Sequence, residues 1–217
     1  MSARSRTLTA TLAAVVTAVL VGCVPATAHA ATTHTTATEA RAELSELDVA
    51  DPDTSAGYRR ADWGPWTRHD GCTTRAIVLE RDAVPGTLVV GAHCRVLGGE
   101  WISPYDQHLI TDPARVQIDH RVPVAEAAMT GGVGWTRGQR VAFYNDPNNL
   151  VAVTGQANDA KGDQDPGTWR PAGRGDWCDY AASYIATKDT YQLTVNATER
   201  DALAQMLDTC PADGSDR

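Results

Sequence analysis

The sequence predicts an α+β domain fastened by two disulfides, and three observations predict it. Short alternating segments separated by Gly, Pro and Asp turns fill the middle of the 217-residue chain, as half-buried strands do. Capped segments with helical periodicity fill its last third. Four cysteines follow a leader of the exported kind, and an oxidising destination pairs such cysteines.

The leader comes first. Arg4 and Arg6 precede an apolar run from Leu8 to Val21, and Ala28-His29-Ala30 offers a small-x-small cleavage site. The run is too short and too early for a stable membrane span. Residues 1–30 therefore read as a signal peptide and the mature protein as secreted. Leu20-Val21-Gly22-Cys23 also resembles a bacterial lipobox, so the alternative product starts at a lipidated Cys23 and stays at the outer face of the cell membrane. Cleavage after Ala30 is favoured.

Cleavage there takes Arg4 and Arg6 from 19 basic residues and nothing from 27 acids, leaving 17 against 27 and a net charge of −10. So acidic a chain argues against a broad nucleic-acid-binding surface but not against a small basic groove. The expected layout is an N-terminal extension over 31–56, one domain over 57–212 and a tail over 213–217, as a monomer. Cys72, Cys94, Cys178 and Cys210 remain. There is no C-x-x-C, so structural zinc is a poor competitor to disulfides.

Residues 31–37, rich in Ala, Thr and His, read as disordered. A short helix is expected over 38–48, with Ala40, Ala42, Leu44 and Leu47 as its apolar positions. Arg75 to Glu80 reads as a strand. Ala92 to Leu97 and Glu100 to Ser103 read as a hairpin around Gly98-Gly99. Ala114 to Asp119 alternates and reads as a strand ending at His120, and Pro123 opens a short helix through Met129. Thr136 and Gln139 form a capping box for a helix over 137–145. Asn149 to Val153 is a short apolar strand, after which Thr154 caps a helix through Asn158 to Lys161. Asp165-Pro166 has the form of another helix start.

Two helices close the chain. Asp176 caps the first, which carries Trp177, Tyr180, Ala181, Tyr184 and Ile185 on one face. Asn196 and Glu199 box the second, with Ala202, Leu203, Met206 and Leu207 on its face. Cys178 starts the first helix and Cys210 ends the second. In an antiparallel helical hairpin those ends meet, so Cys178–Cys210 is the natural bond, leaving Cys72–Cys94. A bond closing a loop of this size contributes about 3 kcal/mol on the chain-entropy account.

The stretch from Ile118 to Trp169 carries the chemistry. A strand ends in Asp119-His120, a second begins at Asn149, and a helix then carries Asn158 and Lys161. Phosphodiester hydrolysis needs a base for the attacking water and a Lewis acid for the leaving oxygen. His120, near its ordinary pKa, suits the base. Asp119 and Asn158 are hard oxygen donors suited to Mg²⁺, with Mn²⁺ the second choice. Adjacent strand residues face opposite ways, so Asp119 and His120 converge only at a strand end. Lys161 lies one helical turn beyond Asn158 and could hold a phosphate.

The segment resembles the ββα-metal (His-Me finger) core of HNH endonucleases. G-Y-R-R-A-D-W-G-P-W, D-G-C-T-T-R-A-I-V-L-E-R-D, W-I-S-P-Y-D, I-D-H-R-V-P-V-A-E-A and K-G-D-Q-D-P-G-T-W are similar to a group of small exported HNH proteins, related to the nuclease module of some modification-dependent restriction systems. The resemblance covers roughly residues 57–210 and completes the fold expectation: a ββα-metal core, an added β-hairpin region and a C-terminal helical hairpin. It implies metal-dependent cutting of DNA, with RNA as the alternative. Asp119 and Asn158 would hold the metal, His120 would be the base, Asn149 would orient it, and Lys161 would stand beside them. Asn158 replaces the helix histidine of the commoner pattern, which favours Mg²⁺ or Mn²⁺ over zinc.

Arg75 is a weaker phosphate candidate, since an ion pair would use it equally well. Glu126 reads as either supporting His120 or solvated. Trp63, Trp66, Trp101 and Trp169 read as core or rim aromatics, and His69, His93 and His108 show no ligand spacing. The competing function is a non-catalytic binding or cell-surface module on the same fold. A peptidase ranks last, since neither H-E-x-x-H nor G-x-S-x-G occurs.

Overall fold

The computed structural model describes residues 36–211. The signal peptide, the lipobox at Cys23, residues 31–35 and the tail lie outside the described residues. The fold is mixed α+β, with seven α-helices and four two-stranded antiparallel sheets among the described residues.

Helix α1 (Ala37–Glu46) starts one residue earlier than periodicity predicts. Thr36 belongs to it as a cap rather than to a disordered stretch, because its side chain accepts from Glu39 N while Glu39 returns to the Thr36 backbone. Ala40, Leu44 and Leu47 are buried as expected, whereas Ala42 faces solvent.

The next segment departs most from expectation. Strands β1 (Arg68–His69) and β2 (Cys72–Thr73) form a hairpin, and Arg75 to Glu80 belongs not to a strand but to helix α2 (Thr74–Asp82). Thr73 caps the helix by accepting from Ala76 N, and Thr74, Val78 and Leu79 bury one helical face. A short apolar run with β-branched residues fits both periods, and here the cap decides.

Gly98-Gly99 is not a hairpin turn either. Strand β3 (Val89–Val90) pairs with β4 (Val96–Gly98), and β5 (Trp101–Ile102) pairs with β6 (Leu109–Ile110). Gly98 is a strand partner of Val89. Gly99 makes room for an indole, since a Cβ there would lie 2.8 Å from Trp101 Cη2. Trp101 is buried with Leu79, Ile110, Val116 and Ala152 in a small second core, its Nε1 donating to Leu79 O at 2.8 Å.

Strand β7 (Gln117–His120) ends at the expected residue. It is followed by α3 (Val124–Met129), α4 (Arg137–Tyr144), β8 (Leu150–Val153) and α5 (Gly155–Lys161). The Thr136–Gln139 box and the Thr154 cap both form. Strands β7 and β8 pair antiparallel, with Asp119 opposite Val151 and His120 opposite Leu150. The outer edge of β8 is covered by an ion pair from α2. Asp82 Oδ2 accepts from Ala152 N at 2.8 Å, Arg81 Nη2 donates to Leu150 O at 2.6 Å, and Arg81 Nε meets Asp82 Oδ1 at 2.6 Å. Charge-assisted bonds thus replace a third strand.

Asp165-Pro166 opens no helix. Asp165 Oδ1 accepts from Thr168 N at 3.1 Å and its Oδ2 from Asn196 Nδ2 at 2.8 Å, so the residue organises a turn. Gly167 and Pro171 deny a helix the residues it would need.

Helices α6 (Trp177–Thr190) and α7 (Ala197–Leu207) form the closing hairpin, with the Asn196–Glu199 box in place. Asp176 stands at the expected cap position but makes no capping bond; its Oδ2 accepts from Gln107 Nε2 at 2.6 Å. Helix α1 packs against both α6 and α7, so the hairpin is part of a three-helix layer. Both disulfides join the expected partners, Cys72–Cys94 and Cys178–Cys210. Glu126 is not solvated, and its partner is not His120: it is buried on α3 and paired with Lys188 Nζ at 2.7 Å, and Glu199 meets the same ammonium at 2.9 Å.

Candidate active site

His120 is the last residue of β7, and this strand end lets it and Asp119 line one cleft of about 300 Å³. Asn158, on α5 directly after β8, lines the same cleft. The hairpin and helix therefore bring together three of the residues that the motif singles out.

The His120 side chain is held on several sides. It is 3% exposed. The Trp66 indole stacks parallel to it at 5.7 Å between centroids, and Phe143 lies parallel at 6.1 Å. His120 Nε2 lies 2.9 Å from Tyr144 O. A carbonyl has no proton to give, so in the neutral ring Nε2 carries the hydrogen and donates it, leaving Nδ1 as the basic nitrogen. Burial pushes the imidazole pKa down to about 4, against the pull of neighbouring Asp119. The ordinary pKa expected from sequence is thus corrected: the ring is neutral throughout the physiological range, ready to accept a proton, though with lower basicity.

Asp119 Oδ2 is fully engaged. It accepts from the buried Tyr105 hydroxyl at 2.8 Å and pairs with Lys161 Nζ at 2.8 Å. Oδ1 has no such partner among the described residues. Asn158 is similarly divided: its Nδ2 donates to Gln117 Oε1 at 2.6 Å, which turns the amide oxygen away from that contact.

Asn149 does not reach the cleft. It is buried at the entry to β8, where Oδ1 accepts from Val122 N at 2.8 Å and Nδ2 donates to Val122 O at 3.1 Å. Its own carbonyl accepts from Arg121 N at 2.7 Å. The side chain thereby clamps the loop that leaves His120. Asn148 beside it is exposed.

Lys161 is placed otherwise than a phosphate-binding lysine would be. It is 0% exposed, and its ammonium also donates to His120 O at 2.9 Å. It neutralises Asp119 from behind and pins the strand end, so no phosphate can reach it. Arg75 is in another part of the molecule, on α2, with Nη2 donating to Pro113 O and Val116 O.

The cationic residue lining the cleft is Arg60, whose guanidinium lies 5.7 Å from the Tyr144 ring centroid. Reasoning from sequence missed it, although two adjacent arginines in G-Y-R-R-A-D-W were the available signal. Tyr105 and Trp66 were missed as well, because their roles depend on contacts far away in the chain. Asp159 and Asp163 complete the acidic wall of the cleft.

Residues 91–206 match the model of the family described as GmrSD restriction endonucleases, C-terminal domain. The chain belongs to that family. It is a nuclease-related family, and the matched span holds Asp119, His120, Asn149, Asn158 and Lys161. The chain is also 40% identical over 204 residues to an "Uncharacterized secreted protein" of Arthroderma benhamiae, covering 92% of this chain and 98% of that one. No solved structure matches. Among the described residues, no helix is long and apolar enough to cross a membrane.

Proposed function

We propose that the protein is a secreted, metal-dependent endonuclease of the HNH kind that hydrolyses phosphodiester bonds of DNA. The observation that carries this reading is the oriented, neutral His120 beside Asp119 and Asn158 in one cleft. Family membership and the secreted relative support it from outside the site.

His120 accepts the proton of the attacking water at Nδ1, while the Nε2–H bond to Tyr144 O holds the ring and spreads the charge it gains. Asn149 keeps the loop after His120 in register. Arg60 offers a guanidinium to a phosphate oxygen at the cleft.

The donor chemistry fits a hard divalent cation. Asp119 Oδ1 and the Asn158 amide oxygen are oxygens that their hydrogen bonds leave available. With Asp119 paired to Lys161, Asp159 and Asp163 still outnumber Arg60 in the lining, so a phosphate would be repelled without a cation. Among the described residues no three His, Cys, Asp or Glu side chains form a ligating group. Mg²⁺ is commonly held by few protein oxygens and several waters. When bound, such an ion would supply Lewis-acid stabilisation of the phosphoryl oxygens and the leaving oxygen.

The test is cleavage of plasmid and linear DNA by oxidised mature protein with Mg²⁺, with Mn²⁺ and with EDTA, beside His120→Ala. The expected result is metal-dependent cutting that falls by at least about a hundredfold in the variant. Folded protein that cuts neither DNA nor RNA with any of these metals would overturn the proposal and leave a non-catalytic binding module.

A further inference from the structure

A second hollow lies away from the His120 cleft. It measures about 870 Å³ and sits between α2, the β1–β2 hairpin, the segment from Gly91 to Leu97, and Pro113-Ala114. Arg68, Arg75, Arg95 and His93 line it, and no aspartate or glutamate does. In a chain with 27 acids against 19 basic residues, an acid-free basin with three guanidinium groups is a local reversal of sign. Its floor is apolar, with Leu79, Val96 and Leu97. Helix α2 begins at its wall, with Thr73 and Ala76 in the lining, so the positive end of nine helical residues adds to the field.

Neighbouring side chains link the basin to the cleft. A third hollow, of about 510 Å³, shares Ala114 with the basin. It also contains Gln117, whose Oε1 accepts from Asn158 at the cleft. Its acids, Asp106 and Asp112, are both engaged. Asp106 Oδ2 accepts from Thr154 Oγ1 at 2.6 Å and lies 3.3 Å from His108 Nδ1, while Asp112 Oδ1 accepts from Ala114 N at 2.9 Å.

We propose that the Arg68–Arg75–Arg95 basin is a second nucleic-acid site, which holds the phosphate backbone of the substrate at a distance from the bond being cut. The choice of nucleic acid as its ligand rests on the nuclease reading. Arg75 is the fixed member, since its bonds to Pro113 O and Val116 O, at 2.8 and 2.9 Å, hold the side chain in place. Arg95 and Arg68 are the exposed members, and Arg68 Nη1 donates to Gly71 O at 2.8 Å. Guanidinium groups along an apolar floor suit phosphates with sugar faces beneath them. The same placement would let an acidic protein hold a polyanion, since the attraction is local to the basin.

The test is equilibrium binding of a labelled DNA duplex to the full oxidised protein in EDTA, so that binding is read without cutting, across a range of salt. Arg68→Gln/Arg95→Gln is compared with Arg137→Gln/Arg200→Gln, a pair of exposed arginines on α4 and next to Glu199 on α7. The basin pair should lower the slope of log K against log salt by about 2, one for each phosphate that is no longer neutralised, and the control pair should leave it unchanged. Equal effects of the two pairs, or none, would overturn the proposal. So would loss of binding to an anionic polysaccharide with DNA binding intact. Thermal unfolding of both pairs at the wild-type temperature makes the comparison one of folded proteins. Because EDTA removes cutting from the readout, a protein that never cuts DNA yet shows the basin effect sinks the nuclease reading alone. A nuclease whose salt slope ignores the basin sinks this proposal alone.

Discussion

The β7–β8–α5 region and the region from β1 to β4 are both built on short antiparallel hairpins, but they are held in opposite ways. In the first, buried or half-buried polar side chains are satisfied by one another and by backbone: Lys161 with Asp119 and His120 O, Asn149 with Val122, and Arg81 and Asp82 with the edge of β8. All four residues of β8 are buried. In the second, Val89, Val90 and Leu97 are 53%, 44% and 49% exposed, and the Cys72–Cys94 bond ties β2 to the segment before β4. Preorganised chemistry needs groups that do not reorganise when charge moves, and a buried hydrogen-bonded network supplies that. A backbone-binding surface needs only to remain in place, and a covalent tie is enough.

The largest effect should come from breaking the network. Lys161→Met leaves the Asp119 carboxylate without its ammonium and His120 O without its donor, at a site where the ammonium is fully buried. Loss of one partner of a buried pair costs about 3–5 kcal/mol. Thermal unfolding should therefore show a large drop in Tm, and cutting should be lost even where the variant is folded. A variant as stable as wild type would mean that the network is not what holds this half.

Removing the tie should cost less and act on a different quantity. Cys72→Ser/Cys94→Ser frees a loop of 22 residues, worth about 3 kcal/mol on the chain-entropy account. At temperatures where the variant is folded, kcat should be unchanged and KM should rise, because Cys94 lines the arginine basin and not the His120 cleft. A fall in kcat at saturating DNA would show that the two halves are mechanically coupled and break the comparison.

The same contrast explains what could be read from the chain. The β7–β8–α5 unit was legible because its signals are local: Thr154 caps α5, D-H ends a strand, and N-L begins the next. The closing helices were legible for the same reason, and their ends placed Cys178 against Cys210. Around α2, local signals conflict. R-A-I-V-L-E satisfies a strand pattern, and Thr73 and the burial of Val78 and Leu79 decide for a helix. Gly98-Gly99 has hairpin composition, yet Gly99 is there for the Trp101 ring. Asp119, His120 and Asn158 share a motif, and the structure places them in one cleft. Tyr105, Trp66 and Arg60 come from distant segments, so chain order gives them no spacing to read. Lys161 has motif spacing but the wrong surroundings for phosphate, and only burial reveals that its charge is already neutralised.

Tyr105 offers the finest test of the contrast, since it belongs to the network without being its main charge. Its hydroxyl, 2.8 Å from Asp119 Oδ2, is buried, and burial together with the Asp119 carboxylate raises its pKa well above the usual phenol range. The group is therefore a hydrogen-bond donor at any working pH. Tyr105→Phe keeps the ring against Trp169 and Tyr180 and removes only the donor. One such bond is worth about 1 kcal/mol of stability, so Tm should fall slightly. Lys161 still holds Oδ2, but the carboxylate becomes freer to rotate, and a loss of roughly 1.4 kcal/mol in transition-state stabilisation would lower kcat about tenfold. The Mg²⁺ concentration for half-maximal cutting should rise at the same time. A merely structural tyrosine would shift Tm and leave that concentration where it was, which would confine the site's preorganisation to Lys161.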